Sequence, residues 1–316
     1  MGKRNIVTLP AIDLNNRPKI LLTGNGINKS FEEELLNSED NRALNTEKLF
    51  AEKWRENYRT EMPEEFKNLP FPMQAVIATK DNVNSCMAEL AEIYKKTKTV
   101  PRQQQFIGHI LGAGFDAVLS TNYSLEFENA VIPACTPGRI KSCFYRRTKV
   151  GTGPQNDFGM FQFTELPFAD KPSLWHIHGT GLRKQSMVMG DYYYGKLLSL
   201  VTARAADVIA KYKKCLSNGK AYIPESWVDY FLLGDVYSFG FKFDLSESDI
   251  WWLLCCKKRN FPDSVTEYFT PKQPGVEKRM MLDAYGVKVR TDIRFGSGDD
   301  KYIEFYKAVC DEIRNR

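Results

Sequence analysis

Histidine is scarce in this chain, cysteine is unpatterned, and long apolar runs are missing. Only 3 histidines and 7 cysteines occur in 316 residues, with no C-x-x-C pair. No zinc-ligand spacing can be assembled from such a set, so no structural metal is expected. The odd, irregular cysteine count argues against a disulfide framework. Cys255 and Cys256, adjacent in an apolar stretch, read as reduced core residues. No segment approaches the roughly 20 apolar residues that cross a bilayer. Met1–Asp13 has no apolar region followed by a small-residue cleavage site. These absences predict a cytoplasmic protein without membrane contact.

A strong charge of one sign is also lacking: 44 Lys and Arg stand against 39 Asp and Glu, a net of +5. The basic clusters Tyr145–Lys149, Lys211–Lys214 and Lys257–Arg259 lie far apart in sequence, which suits solvated faces better than a nucleic-acid site. What the chain does have, at 43% apolar and 26% charged residues, is an ordinary globular composition and ample material for a core.

Short apolar runs closed by glycine or small polar residues punctuate the chain. Lys19–Thr23 reads as a buried strand ending at Gly24-Asn25-Gly26. Phe115–Ser120 is a strand followed by Thr121-Asn122-Tyr123 and a short helix over Leu125–Ala130. Ser173–His178 is a strand closed by Gly179, and Val236–Phe239 is closed by Gly240. Further strands are expected at Val265–Phe269 and Val287–Thr291. Helical periodicity marks Thr46–Trp54, Met87–Tyr94, Gly195–Lys214, Ser226–Leu233, Glu247–Lys258, Pro274–Tyr285 and Asp300–Ile313. The stretch from about Val131 to Lys171 reads as loop, with Pro133, Pro137, Gly151, Gly153 and Pro154. Short apolar strands alternating with helices predict an α/β fold, a Rossmann-like parallel sheet with helices on both faces. One domain spans 1–316, with a helical insertion at 30–111.

In open α/β sheets, ligands bind at the carboxyl ends of strands, which would gather Gly24, Asn122, Gly179 and Gly240 around one crevice. Taken singly, each segment has a plain alternative. Gly24-Asn25-Gly26 lets backbone approach a pyrophosphate, but Lys29 stands where a dinucleotide fingerprint has its third glycine, and a tight turn without ligand fits as well. Asn122 suits a ligand contact or a helix N-cap. His178, at a strand end before glycine, is expected to be exposed at the sheet edge as a general base near its ordinary pKa of roughly 6.5. His176, one pleat further in, reads as a buried, hydrogen-bonded histidine.

The ordered combination resembles the sirtuin family. A glycine turn follows the first strand, then come Ser120-Thr121-Asn122-Tyr123, His178-Gly179, and Gly240 after a later strand. The nearer likeness is to the zinc-less, sirtuin-like NADases of bacterial anti-phage defence, supported by Met187–Tyr194 (MVMGDYYY) and Asp249. The resemblance implies NAD as substrate and catalytic roles for Asn122 and His178. It implies NAD contacts from Gly24, Asn25, Gly26, Asn28, Thr121, Tyr123, Gly240, Phe241 and Asp249. The chain departs from the family pattern at Asn25, where alanine is usual, at Asn28, where serine is common, and at Ser124, which replaces an aspartate. No serine follows Gly240. The four-cysteine zinc module of protein deacylases is missing, since Gly179–Gly234 holds only Cys215 and reads as helical over 190–233. The expected activity is hydrolysis of NAD to nicotinamide and ADP-ribose. The alternatives are a deacylase or ADP-ribosyltransferase, and a non-catalytic NAD or nucleotide sensor. A separate activator or sensor protein, or self-assembly, is the expected partner, and nucleic acid is not.

Overall fold

The computed structural model describes residues 6–36, 46–131, 145–148, 157–167, 172–296 and 300–316. Among these residues nine strands form one sheet: β1 (Ile6–Val7), β2 (Lys19–Thr23), β3 (Ala117–Ser120), β4 (Tyr145–Thr148), β5 (Gln162–Glu165), β6 (Ser173–His176), β7 (Asp235–Ser238), β8 (Thr266–Phe269) and β9 (Lys288–Arg290). Their order across the sheet is β1-β4-β5-β6-β3-β2-β7-β8-β9. From β6 to β9 every neighbouring pair is parallel. Counted along the chain, these six parallel strands run in the order 3-2-1-4-5-6, that of a doubly wound dinucleotide fold. The fold is therefore Rossmann-like α/β, as the strand–helix alternation predicts.

The parallel strands are covered on both faces because their side chains alternate. Ile20, Leu22, Ala117, Leu119, Trp175 and Val236 point into one apolar layer. Leu21, Val118, Leu174 and Tyr237 point into the other. The first layer is closed by the helices Asp191–Ser217, Trp227–Leu233 and Ser248–Asn260. Pro101–Leu111 and Lys301–Arg314 close the second. The helices Thr46–Tyr58, Phe71–Ala78 and Val83–Lys96 build a third, separate core with Tyr123, Met187 and Met189.

Two expectations are corrected. The stretch expected as loop between 131 and 171 contains β4 and β5, which pair antiparallel with each other, β5 pairing antiparallel with β6 as well. These strands are four residues each and carry polar residues, YRRT and QFTE, so no apolar run announces them. Pro133, Pro137, Gly151, Gly153 and Pro154 lie outside the described residues. The basic cluster at 257–259 is not wholly a solvated face. Lys257 is 3% exposed and turns inward to cap the helix Trp227–Leu233, donating to the carbonyls of Phe231 at 2.9 Å and Leu232 at 3.2 Å and to that of Gly234. Among the described residues no helix is long and apolar enough to cross a membrane.

The 27-residue helix Asp191–Ser217 is locked to its neighbour through a buried ion pair. Arg204 donates to Asp229 Oδ1 at 2.6 Å and Oδ2 at 2.9 Å, while Tyr222 donates to the same carboxylate at 2.5 Å. Asp229 is fully buried and also closes the capping box with Ser226. Removing Arg204 leaves that carboxylate without its charge partner. Arg204→Ala is expected to lower the unfolding free energy by about 3–5 kcal/mol, read by urea denaturation. A loss below about 1 kcal/mol would show that the pair does not hold the two helices.

Candidate active site

The reversal of strand order falls where β3 and β7 flank β2, and the turns leaving these strands nearly touch. Gly26 N–H donates to the Gly240 carbonyl at 2.8 Å. A Cβ on Gly26 would stand 2.6 Å from the Gly240 Cα, so only glycine permits this approach. Gly240 itself has φ +70°, in the left-handed region. Thr23 Oγ1 donates to the Phe239 carbonyl at 2.9 Å just beneath, tying β2 to β7.

A pocket of about 500 Å³ opens above this junction, within the range of small-molecule and cofactor sites. The turn after β2 contributes Asn25, Gly26, Asn28 and Lys29; the turn after β3 contributes Thr121, Asn122, Tyr123 and Ser124. His178 comes from the turn after β6, and the segment after β7 contributes Gly240, Phe241, Lys242, Asp244, Ser246 and Glu247. Helices outside the sheet complete the wall with Glu32, Leu35, Phe71, Tyr94 and Tyr194. Both catalytic candidates, Asn122 and His178, therefore line the same cavity as Asn25, Gly26, Asn28, Thr121, Tyr123, Gly240 and Phe241.

Two candidates do not line it. Gly24 is packed beneath Thr121 and Phe241, where an added Cβ would lie 2.8 Å from Thr121 Oγ1. Asp249 is fully buried behind His178. A third expectation changes too: the Gly26 N–H is already spent on Gly240, so it is not free to hold a pyrophosphate.

His178 differs from expectation in two ways. It is buried, at 2% exposure: the strand stops at His176, a turn follows, and Asp249, Glu247 and Tyr194 pack around the ring. Its Nε2 lies 3.1 Å from Asp249 Oδ2 and 3.5 Å from Glu247 Oε2, with the ring edge-on to Tyr194 at 5.4 Å. Burial alone would lower its pKa. The charges of Asp249 and Glu247 and the bond to Asp249 outweigh that and raise it to about 9. His178 is thus a cation at neutral pH, not a free base near its ordinary value. The same burial, with added repulsion from Asp249, pushes the Glu247 carboxyl up, against the pull of His178. The imidazole nitrogen and one oxygen of each carboxylate lie within 4.8 Å of one another, a set able to close on a metal ion that sequence spacing does not reveal. The proton on His178 supplies part of the positive charge these carboxylates require.

Across the pocket, Asn122 is fixed from below. Its Nδ2 donates to Glu126 Oε1 at 2.6 Å, and the Ser124 hydroxyl donates to Glu126 Oε2 at 2.6 Å. Burial pushes the Glu126 carboxyl up, while the bonds from Asn122 and Ser124 pull it down. His176 holds the Asn122 carbonyl through Nδ1 at 2.8 Å and Glu128 through Nε2 at 3.1 Å. Both partners are acceptors, so both ring nitrogens carry protons. Burial opposes that charge, but Glu128 prevails and the pKa rises to about 9. His176 is the buried, bonded histidine that the strand alternation predicts.

Sequence reasoning missed Glu126, Glu128 and Glu247, and gave Tyr194 only as the end of the Met187–Tyr194 segment, with no role. The one available signal was the pair of acids directly after the Thr121-Asn122-Tyr123 segment, interleaved with Leu125 and Phe127. Compared with family models and with curated proteins, the chain matches none of either.

The histidine shifts fix a sign for pH dependence. Both folded values lie above the unfolded value of roughly 6.5, so the stabilisation is complete below that pH and is lost as pH rises through about 9. Asp249→Asn removes the principal charge that raises His178. The variant is expected to lose less stability than the parent between pH 6.5 and 9, read as the difference in their melting-temperature slopes. Parallel slopes would mean that Asp249 does not hold the His178 proton.

Proposed function

We propose that this protein binds NAD in the crevice above β2 and β7 and hydrolyses the nicotinamide–ribose bond, giving nicotinamide and ADP-ribose. The observation that carries this reading is the meeting of Asn122, His178, Asn25 and Gly26 in one pocket at the switch point of a doubly wound sheet. These residues come from segments far apart in sequence, and the resemblance to sirtuin-like NADases assigns the same segments to one site.

The chemistry requires the ribose carbon to pass through a state with cationic character. Water attacks C1′, the C1′–N bond breaks with its electron pair going to the nicotinamide ring, and the ring leaves as a neutral molecule. Glu247 on the pocket wall accepts the proton released by the attacking water. His178, whose proton is held against Asp249, keeps the Glu247 side chain in place instead of acting as the base itself. Asn122 bonds the ribose or the attacking water. Glu32, Asp244 and Glu247 place negative charge around the developing cation, and Lys29 and Lys242 provide positive charge for the phosphates.

In this reading the enzyme serves anti-phage defence by depleting NAD, so it stays silent until a partner protein or self-assembly triggers it. Purified protein, alone and with candidate activators, should release nicotinamide and ADP-ribose in equal amounts from NAD, measured by chromatography. Asn122→Ala and His178→Ala are each expected to lower turnover by about 100-fold or more with the fold retained by circular dichroism. Turnover by either variant at the parental rate would overturn the role given to that residue. Release of nicotinamide only with an acylated peptide present would make the protein a deacylase.

A further inference from the structure

The side chain of Asn122 can present either of two chemistries to the pocket, a donating NH₂ or an accepting carbonyl, and its buried neighbours decide which. Glu126 is 3% exposed, and its Oε1 stands 2.6 Å from the Asn122 amide. The donors Asn122 Nδ2 and Ser124 Oγ both aim at this side chain and favour its ionised form, which has no proton to give, so the NH₂ end of Asn122 faces it. The carbonyl Oδ1, at the other corner of the planar group, is left as the free end of a residue that lines the cavity. The main chain cannot rotate to undo this, because the Asn122 carbonyl accepts from the charged His176 at 2.8 Å.

The neighbouring bonds run in the same direction. The Ser124 hydroxyl spends its proton on Glu126 Oε2 and accepts from Asn28 Nδ2 at 3.2 Å. Asn28 Oδ1 in turn accepts from Gln103 Nε2 at 2.8 Å. Glu126 therefore draws two donors away from the pocket wall. What remains facing the cavity at Asn122 is a lone-pair surface.

We infer that Glu126 is a positioning residue that makes Asn122 a fixed hydrogen-bond acceptor, so the pocket recognises a neutral O–H donor there, either water or a ribose hydroxyl. This rests on the hydrolase reading for its catalytic consequence. An acceptor holding a water by its proton turns that water's oxygen lone pair away from itself, toward the carbon under attack. A phosphate or carboxylate at the same point would be repelled. The arrangement accounts for a buried glutamate in a position that sequence reasoning would assign to a helix start.

Glu126→Gln tests the inference with little change of shape. Glutamine can offer its own NH₂ to Asn122 Oδ1, which turns the Asn122 amide and presents a donor to the cavity. The expected result is a fall in kcat/KM of about 100-fold with an unchanged melting temperature. If the bound donor is water, the loss falls on kcat, and added methanol shifts the ratio of methyl ADP-riboside to ADP-ribose. If it is a ribose hydroxyl, KM for NAD rises and the affinity for ADP-ribose drops by a similar factor. Ser124→Ala, which leaves the Asn122–Glu126 bond intact, is expected to lose less than about tenfold. A Glu126→Gln enzyme within threefold of the parent overturns the inference.

A readout independent of turnover separates this idea from the hydrolase reading. With ¹⁵N-asparagine labelling, the Asn122 side-chain amide, assigned by its loss in Asn122→Asp, should move in Glu126→Gln and stay in place in Ser124→Ala. No movement in Glu126→Gln overturns the positioning role even if NAD is hydrolysed. Movement with no nicotinamide release under any activation upholds the acceptor surface while the hydrolase reading fails.

Discussion

The backbone contact between Gly26 and Gly240 is the constraint on which the pocket depends. Neighbouring parallel strands bring β2 and β7 within hydrogen-bonding distance, but their turns would ordinarily diverge to clear side chains. With no Cβ on either residue, the Gly26 N–H reaches the Gly240 carbonyl. The two turns then form a common floor, and everything above it is placed by reference to that floor. Asn25 and Asn28 rise on one side, and Phe241 and Lys242 on the other. The glycines act by letting two pieces of main chain meet, which differs from lining a phosphate.

Above the floor, the two walls are built on opposite electrostatic plans. One wall buries Glu126 and Glu128 beneath neutral side chains and balances them with His176. The other buries Asp249 and holds Glu247 close by, with His178 between them. In each case a carboxylate that would be costly to bury alone is matched by an imidazolium at about 3.1 Å. The chain has 3 histidines in all, and two of them serve this purpose. Scarcity of histidine thus does not signal that histidine chemistry is unimportant; the two that matter stand two residues apart on one strand end.

Much of this was legible in the sequence, and the boundary of legibility has a physical reason. The buried parallel strands are apolar and end in glycine or asparagine, so β2, β3, β6 and β7 are visible from local pattern alone. The lateral strands β4 and β5 carry arginine, glutamine and threonine, and β4 is placed in the sheet by β5 and by β1, which lies far away in the chain. The same division runs through the site. Asn122 and His178 could be picked out because strand ends are where chemistry gathers, yet their partners could not. Glu247 and Asp249 meet His178 across about seventy residues of chain, and His178 was expected to be exposed because nothing local shows what packs over it. Lys257 looked like one charge in a solvated run, but a helix end 23 residues earlier needed its ammonium.

The helices between residues 46 and 96 have a core of their own, which Tyr123, Met187, Met189 and Tyr193 join to the remainder, Tyr193 also donating to Asn84 Oδ1 at 2.8 Å. Phe71 and Tyr94 from these helices also form part of the pocket wall. Part of the pocket wall therefore belongs to a core distinct from the two that flank the sheet, so a substitution buried among these helices can reach the pocket without passing through the sheet.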